Sequence, residues 1–97
     1  MKNVGLLVTV KAKKGKENDV AQFLSSAVAL ANQEEQTLTW YAFQIDDETF
    51  GVFDTFEKES GRDAHLSGEI AKALLANAEI LLSEAPSIKK IDILASK

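Results

Sequence analysis

Residues 50–68 read FGVFDTFEKESGRDAHLSG and hold the only histidine of the chain, His65. The stretch begins as an apolar strand, in which Asp54 shares an alternating face with Phe50, Val52 and Phe56. A charged turn follows, and then the start of a helix that we expect to lie back over the sheet edge. The spacing therefore predicts that Asp54 and His65 interact directly or through one water. Chemistry is one interpretation of this pair, and a histidine bonded for structural reasons is the other.

Strand and helix patterns alternate before this stretch. Val4 to Lys11 is apolar on both alternating sets, which predicts a strand covered on both sides. From Lys16 to Asn32 the apolar residues follow the spacing of one amphipathic helix. Thr37 to Ile45 predicts a second strand, Asp46 to Thr49 a hairpin turn, and Phe50 to Phe56 the third strand.

A second helical region and a last strand follow. Ser67 and Gly68 mark a joint, and Ser67 is expected to cap the second piece. The apolar face of that piece consists of Ile70, Leu74, Leu75, Ala78, Leu81 and Leu82. Pro86 stops the helix, and Ser87 to Ala95 predicts the fourth strand. The order βαββαβ predicts one α+β domain over residues 1–97, a ferredoxin-like sandwich with a four-stranded antiparallel sheet and both helices on one face.

Composition excludes several classes of protein. The 97 residues contain no cysteine and one histidine, so we expect no disulfide, no iron–sulfur cluster and no metal site. No glycine-rich nucleotide loop is present, and we expect no cofactor. The net charge of −4 argues against a nucleic-acid partner. The lysines between Lys11 and Lys16 are interpreted as a solvated turn.

No stretch approaches the apolar length of a membrane span. The apolar run at the N-terminus is interrupted by Gly5 and Thr9 and has no small-residue cleavage site, so it predicts a strand rather than a signal peptide. We therefore expect a cytoplasmic protein without a membrane partner.

Two helices can cover only one face of the predicted sheet. Apolar bulk nevertheless falls on both alternating sets, in Leu6/Leu7, Trp40/Tyr41 and Ile93/Leu94. An apolar patch of that size marks an interface. We expect a homodimer in which two sheets pack through their open faces, giving a dimeric α+β barrel.

Over nearly its whole length the chain resembles the antibiotic biosynthesis monooxygenase (ABM) family of dimeric α+β barrels. The family pattern is an acidic residue, an aromatic residue two positions later and a histidine eleven positions after the acid; here these are Asp54, Phe56 and His65. The run around Gly61-Arg62 and Ala64-His65-Leu66 is similar to a branch of small bacterial quinol monooxygenases. Asp54 stands where most characterised members have glutamate, so the carboxylate reaches one methylene less far.

The resemblance implies a cofactor-independent monooxygenase that oxidises an electron-rich aromatic substrate, such as an anthrone, a hydroquinone or a similar phenol, with dioxygen. It implies that His65 takes a phenolic proton and that Asp54 orients it or stabilises the imidazolium. Trp40 or Tyr41 would stack on the substrate ring, and Arg62 would hold an anionic oxygen. Trp40 and Tyr41 point to opposite faces, so at most one of them lines the pocket.

The alternative is a dimeric protein of the same fold that binds a small ligand or has a structural or stress-related role, without turnover. In that case Arg62 is a surface ion-pair partner of Glu59 or Asp63, and Asp54 pairs or caps near the strand end. An enzyme needs a closed apolar cavity of a few hundred Å³ beside His65 (roughly 300 Å³ or more), so the pocket discriminates between the two.

Overall fold

The computed structural model describes residues 3–97. Its strands are β1 (Val4–Lys11), β2 (Thr37–Gln44), β3 (Thr49–Phe56) and β4 (Ser87–Asp92), and its helices are α1 (Glu17–Ser26), α2 (Val28–Ala31), α3 (Glu59–Leu66) and α4 (Glu69–Leu81). The strands form one antiparallel sheet in the order β2-β3-β1-β4. The ferredoxin-like α+β fold predicted from the sequence is confirmed.

The core lies between the sheet and the helices. Alternate residues of the two central strands, β1 and β3, face the helices, because side chains along a strand alternate between faces. Leu6 of β1 and Phe56 of β3 are almost completely buried there, and Val20 and Leu24 of α1 pack onto them. Asp54 belongs to the same inward-facing set of β3, so the fold places a carboxylate in the core layer.

The first helix differs from the prediction of one helix over Lys16 to Asn32. It is divided at Ala27, whose N–H is shared between the carbonyls of Phe23 and Leu24. Such bifurcated bonds are common where a helix tightens at its end. The break follows no glycine or proline and has no signal in the sequence.

The joint between the last two helices is confirmed, but the predicted cap is wrong. Gly68 is the N-cap residue of α4 and makes no side-chain cap. The Ser67 hydroxyl instead donates back to the carbonyls of Asp63 and Ala64 in α3. Leu75, predicted on the apolar face of α4, is 62% exposed.

The sheet face opposite the helices carries an aromatic layer. The Phe43 ring lies over Gly51 and the Phe53 ring over Gly5, close enough that an added Cβ at either glycine would contact the ring. Leu7 and Phe53 are half-buried on this face, and Tyr41 is 58% exposed. No helix within residues 3–97 has both the length and the apolar character to cross a membrane.

Candidate active site

Asp54 and His65 are in direct contact in the core, which is one of the two arrangements that the sequence spacing predicts. Asp54 lies opposite Leu6 of β1 and Trp40 of β2, and its exposure is 0%. After β3 ends at Phe56, α3 returns over the sheet and brings His65 Nε2 to 2.8 Å from Asp54 Oδ2. This contact has the distance of an ion pair without the alignment of a hydrogen bond. We treat it as an ion pair, because charge attraction at that distance does not require alignment.

A second carboxylate, which the sequence did not predict, holds the other side of the ring. Glu34 lies in the turn between α2 and β2, and its Oε1 is 2.6 Å from His65 Nδ1. The Thr37 hydroxyl donates to the same oxygen at 2.7 Å. Gly68 packs so close that an added Cβ would lie 3.3 Å from Glu34 Oε2. We call Asp54, His65 and Glu34 the trio.

The trio favours the charged form of the imidazole. Burial lowers the pKa of His65, but the close contact and charge of Asp54, followed by the hydrogen bond and charge of Glu34, raise the pKa more, so that it lies above its ordinary value of 6.5. The ring is 6% exposed and packs on Phe56 with centroids 5.5 Å apart. With His65 protonated, the trio contains one imidazolium between two carboxylates and carries one net negative charge.

This geometry bears on the proton acceptor expected from the sequence. A neutral histidine that takes a phenolic proton needs a ring nitrogen free to face the substrate. Here Nε2 contacts Asp54 and Nδ1 bonds Glu34. While both contacts hold, His65 fixes the two carboxylates and offers neither nitrogen to a ligand.

His65 also forms part of the wall of an apolar pocket between the sheet and the helices. Leu6 and Val52 line the sheet side of the pocket, and Ile70 and Leu74 line the side of α4. Its volume is about 70 Å³. This is smaller than the few hundred Å³ expected for an enzyme of this type, and a bound aromatic ring requires the pocket to widen.

On its other side His65 borders a polar cleft of about 340 Å³. Glu34, Thr37 and Gly61 contribute to the lining of this cleft. Glu34 is 21% exposed, whereas Asp54 is completely buried. The trio thus extends from an apolar pocket to a polar opening, and Glu34 is its member nearest to water.

The structure separates the three residues predicted to contact substrate. Trp40 lies on the helix side and packs against the core beside Ile70, whereas Tyr41 lies on the open sheet face. Arg62 is buried, and its Nη1 donates to the carbonyls of Gly5 and Ile91 at 3.2 Å each. Its guanidinium is therefore committed to joining α3 to β1 and β4.

Glu59, expected in one interpretation to pair with Arg62 at the surface, lies 3.6 Å from Arg62 Nη2. The Arg62 end of that pair is buried, because its side chain is 6% exposed. Within residues 3–97, no group of three or more His, Asp or Glu side chains is arranged so that it could hold a metal ion.

Solved structures of other proteins have the same architecture. A protein of unknown function from Nitrosomonas europaea is 50% identical over 100% of this chain and 94% of its own length, with a TM-score of 0.98. A protein from Pseudomonas aeruginosa is 21% identical over 98% of this chain and 97% of its own, with a TM-score of 0.83. An antibiotic biosynthesis monooxygenase is 15% identical over 95% of this chain and 99% of its own, with a TM-score of 0.81. No family model and no curated protein matches the chain.

Proposed function

We propose that the chain is a monooxygenase. It belongs to the same family as the Nitrosomonas europaea protein and has the fold of an antibiotic biosynthesis monooxygenase. It oxidises an electron-rich aromatic substrate, such as an anthrone or a hydroquinone, with dioxygen and without a metal or flavin. The observation that carries the proposal is the buried trio at the wall of an apolar pocket.

The trio supplies the proton acceptor that this chemistry needs. Acidic phenols and anthrones react with dioxygen as anions, so a group in the protein must first remove a proton. The trio carries one net negative charge and becomes neutral when it takes that proton. The substrate anion is then not repelled by a net negative charge on the trio. His65 holds the two carboxylates in place and keeps the charge of the cluster compensated.

The oxidation balances with dioxygen as the only co-reactant. For an anthrone, the substrate anion gives one electron to dioxygen, and the resulting radical and superoxide combine into a peroxide anion, which takes up the stored proton and becomes a hydroperoxide. Loss of water from the hydroperoxide, with removal of a second hydrogen as a proton, leaves a carbonyl. In sum the CH₂ group of the anthrone and O₂ give C=O and H₂O. The apolar pocket excludes bulk water from these steps.

The proposal includes a homodimer built through the open sheet face. The aromatic layer of Phe43 and Phe53 and the exposed ring of Tyr41 form an apolar surface that no helix within residues 3–97 covers. A second copy would cover it with the same surface, which a two-fold axis requires. The interface of such a stable dimer buries more than ~1,000 Å² in total.

A second function is favoured by the size of the pocket. At about 70 Å³ it is smaller than the ~150 Å³ cavity that accommodates a benzene ring in other proteins. A protein that binds a small ligand without turnover needs no larger space. Binding without oxygen consumption would select this function.

Oxygen consumption tests the proposal. Purified protein is mixed with an anthrone, a hydroquinone and a catechol in an oxygen electrode, and the spontaneous rate is subtracted. We expect uptake above that rate with at least one substrate, and a loss of ~10²–10⁴-fold in Asp54→Asn, as is typical when an acid–base group is removed.

The matched control for that variant is Asp63→Asn, which changes an exposed aspartate of α3 and is expected to retain full activity. Circular dichroism establishes that both variants are folded under the assay conditions. No uptake by the unchanged protein across the panel would contradict the proposal.

A further inference from the structure

Four buried side-chain atoms have no hydrogen-bond partner among the described residues: Asp54 Oδ1 and Oδ2, Trp40 Nε1 and Arg62 Nε. Asp54 Oδ2 faces His65 at 2.8 Å, whereas Asp54 Oδ1 and the indole Nε1 of Trp40 have no such contact. A buried donor or acceptor that is left without a hydrogen bond costs about 1–3 kcal/mol, and more when the group is charged. Native proteins keep few such groups, and those at functional sites often mark where a ligand binds.

The two atoms belong to neighbouring side chains. Trp40 of β2 and Asp54 of β3 are directly paired in the sheet, and both lie on the side that faces the helices. The Cβ atoms of residues paired in this way are typically about 4.5–5.5 Å apart. The sheet thus pairs a residue that has an unpartnered N–H donor with a residue that has an unpartnered carboxylate oxygen, both on the core side.

A hydroxyl can satisfy both atoms. A hydroxyl has one proton to donate and lone pairs to accept with, so it can bond a carboxylate and an indole N–H at once. An ether can accept but not donate. An ionised oxygen would be repelled by the carboxylate.

The pair lies directly behind the inner wall of the apolar pocket. Asp54 is opposite Leu6, contacts His65 and follows Val52 by two positions on the same face, and all three of those residues line the pocket. Trp40 packs in the cluster of Ile70, which also lines the pocket. Widening the pocket at this wall would expose both unpaired atoms to an aromatic ligand.

We propose that Trp40 and Asp54 form a subsite for the hydroxyl of a neutral phenol, in which Trp40 Nε1 donates to the phenolic oxygen and the phenolic O–H donates to Asp54 Oδ1. Asp54 Oδ1 is then the atom of the trio that receives the substrate proton, and in that respect the subsite rests on the proposed function. Binding itself needs no turnover. The subsite selects substrates with a free hydroxyl through Asp54 Oδ1, and Trp40 is a positioning residue that holds the phenolic oxygen.

The test compares phenol with anisole, its methyl ether, under nitrogen by titration calorimetry. A site whose buried polar groups are left unpaired by the wrong ligand rejects that ligand strongly. We expect phenol to bind at least about 100-fold more tightly than anisole, because only phenol can donate to Asp54 Oδ1, and Trp40→Phe to weaken phenol binding at least about tenfold. Tyr41→Phe is the control, because it changes the adjacent aromatic residue on the opposite sheet face.

A second measurement does not depend on a variant that folds. The chain has one tryptophan, so a nitrogen-15 spectrum contains a single indole N–H signal. We expect phenol to move that signal downfield and anisole to leave it nearly unchanged. Equal affinities for the two ligands, no binding of either, or an unmoved indole signal would overturn the subsite.

Failure of the subsite and failure of the proposed function can be distinguished. Preferential phenol binding without oxygen uptake supports the subsite and contradicts the monooxygenase. Oxygen uptake without any preference for a free hydroxyl supports the monooxygenase and contradicts the subsite.

Discussion

Replacing Asp54 by asparagine should lower the unfolding free energy by several times the cost of a substitution at an exposed charge. The substitution preserves the size of the side chain and removes one of the two negative charges that face His65. Asp54 is completely buried, so water cannot take the place of the carboxylate. Removing one partner of a buried ion pair typically costs 3–5 kcal/mol, and because Glu34 remains bonded to His65 we expect about 3 kcal/mol.

The cost should depend on pH in a defined direction. A group whose pKa is raised by folding contributes stability that is fully present below its unfolded pKa, here the ordinary 6.5, and is lost as the pH rises through the folded pKa. Asparagine removes the strongest of the contributions that raise the pKa of His65. The difference in unfolding free energy between the two proteins should therefore be largest at mildly acid pH and should shrink at alkaline pH, where His65 is neutral in both.

Urea unfolding followed by the fluorescence of Trp40, the only tryptophan, measures this difference. The unchanged protein, Asp54→Asn and Asp63→Asn are compared at equal concentration, because unfolding of a dimer depends on concentration. Asp63 is exposed, and its substitution should change stability by less than about 0.5 kcal/mol. A cost for Asp54→Asn below 1 kcal/mol (roughly the level of an exposed ion pair), or one that does not change with pH, would refute the reasoning.

Three further predictions concern Glu34, the open sheet face and the close packing at Gly51. Glu34→Gln should cost only about 1.5 kcal/mol in urea unfolding, less than Asp54→Asn, because Glu34 is partly exposed and water can replace the lost charge; an equal or larger cost would contradict this. Tyr41→Arg should convert the proposed dimer into a monomer in light scattering, because it places a charge on the open sheet face; an unchanged mass would count against that interface. Gly51→Ala should destabilise the fold by about 1–3 kcal/mol, because its Cβ would lie 2.5 Å from Phe43 Cζ and 2.8 Å from a backbone carbonyl of β1; thermal unfolding at the original temperature would show the argument to be wrong.

The sequence contained enough information for the fold. β1 was predicted with its observed bounds, because its β-branched and apolar residues leave no competing pattern. The joint at Ser67 and Gly68 was also visible, since small polar residues interrupt a helical period there. The division of the first helix at Ala27 was not visible, because it arises from backbone geometry in a run of good helix formers.

The site could be predicted only in part. Asp54 and His65 are eleven residues apart on successive elements, and local spacing was sufficient to bring them together. Glu34 is 31 residues from His65, in a polar turn beside a second glutamate, and no periodic pattern distinguishes one from the other. The face of Trp40 depends on an irregularity in the pairing of β2 near its start, and the sequence does not reveal that register.

The pKa of His65 and the burial of Arg62 also depend on tertiary contacts. Both carboxylates contribute to the raised pKa of His65, and sequence reasoning supplied only one of them. The burial of Arg62 against two strands could not be seen from the charges that surround it in the sequence.

The most direct test of the central claim is the fate of the oxygen atoms. The unchanged protein is incubated with an anthrone under isotopically labelled dioxygen, and the quinone product is analysed by mass spectrometry against a protein-free reaction. A monooxygenase places one labelled oxygen atom in the new carbonyl and the other in water, at a rate above that of spontaneous oxidation. A product without label, or labelled product at no more than the spontaneous rate, would contradict the account.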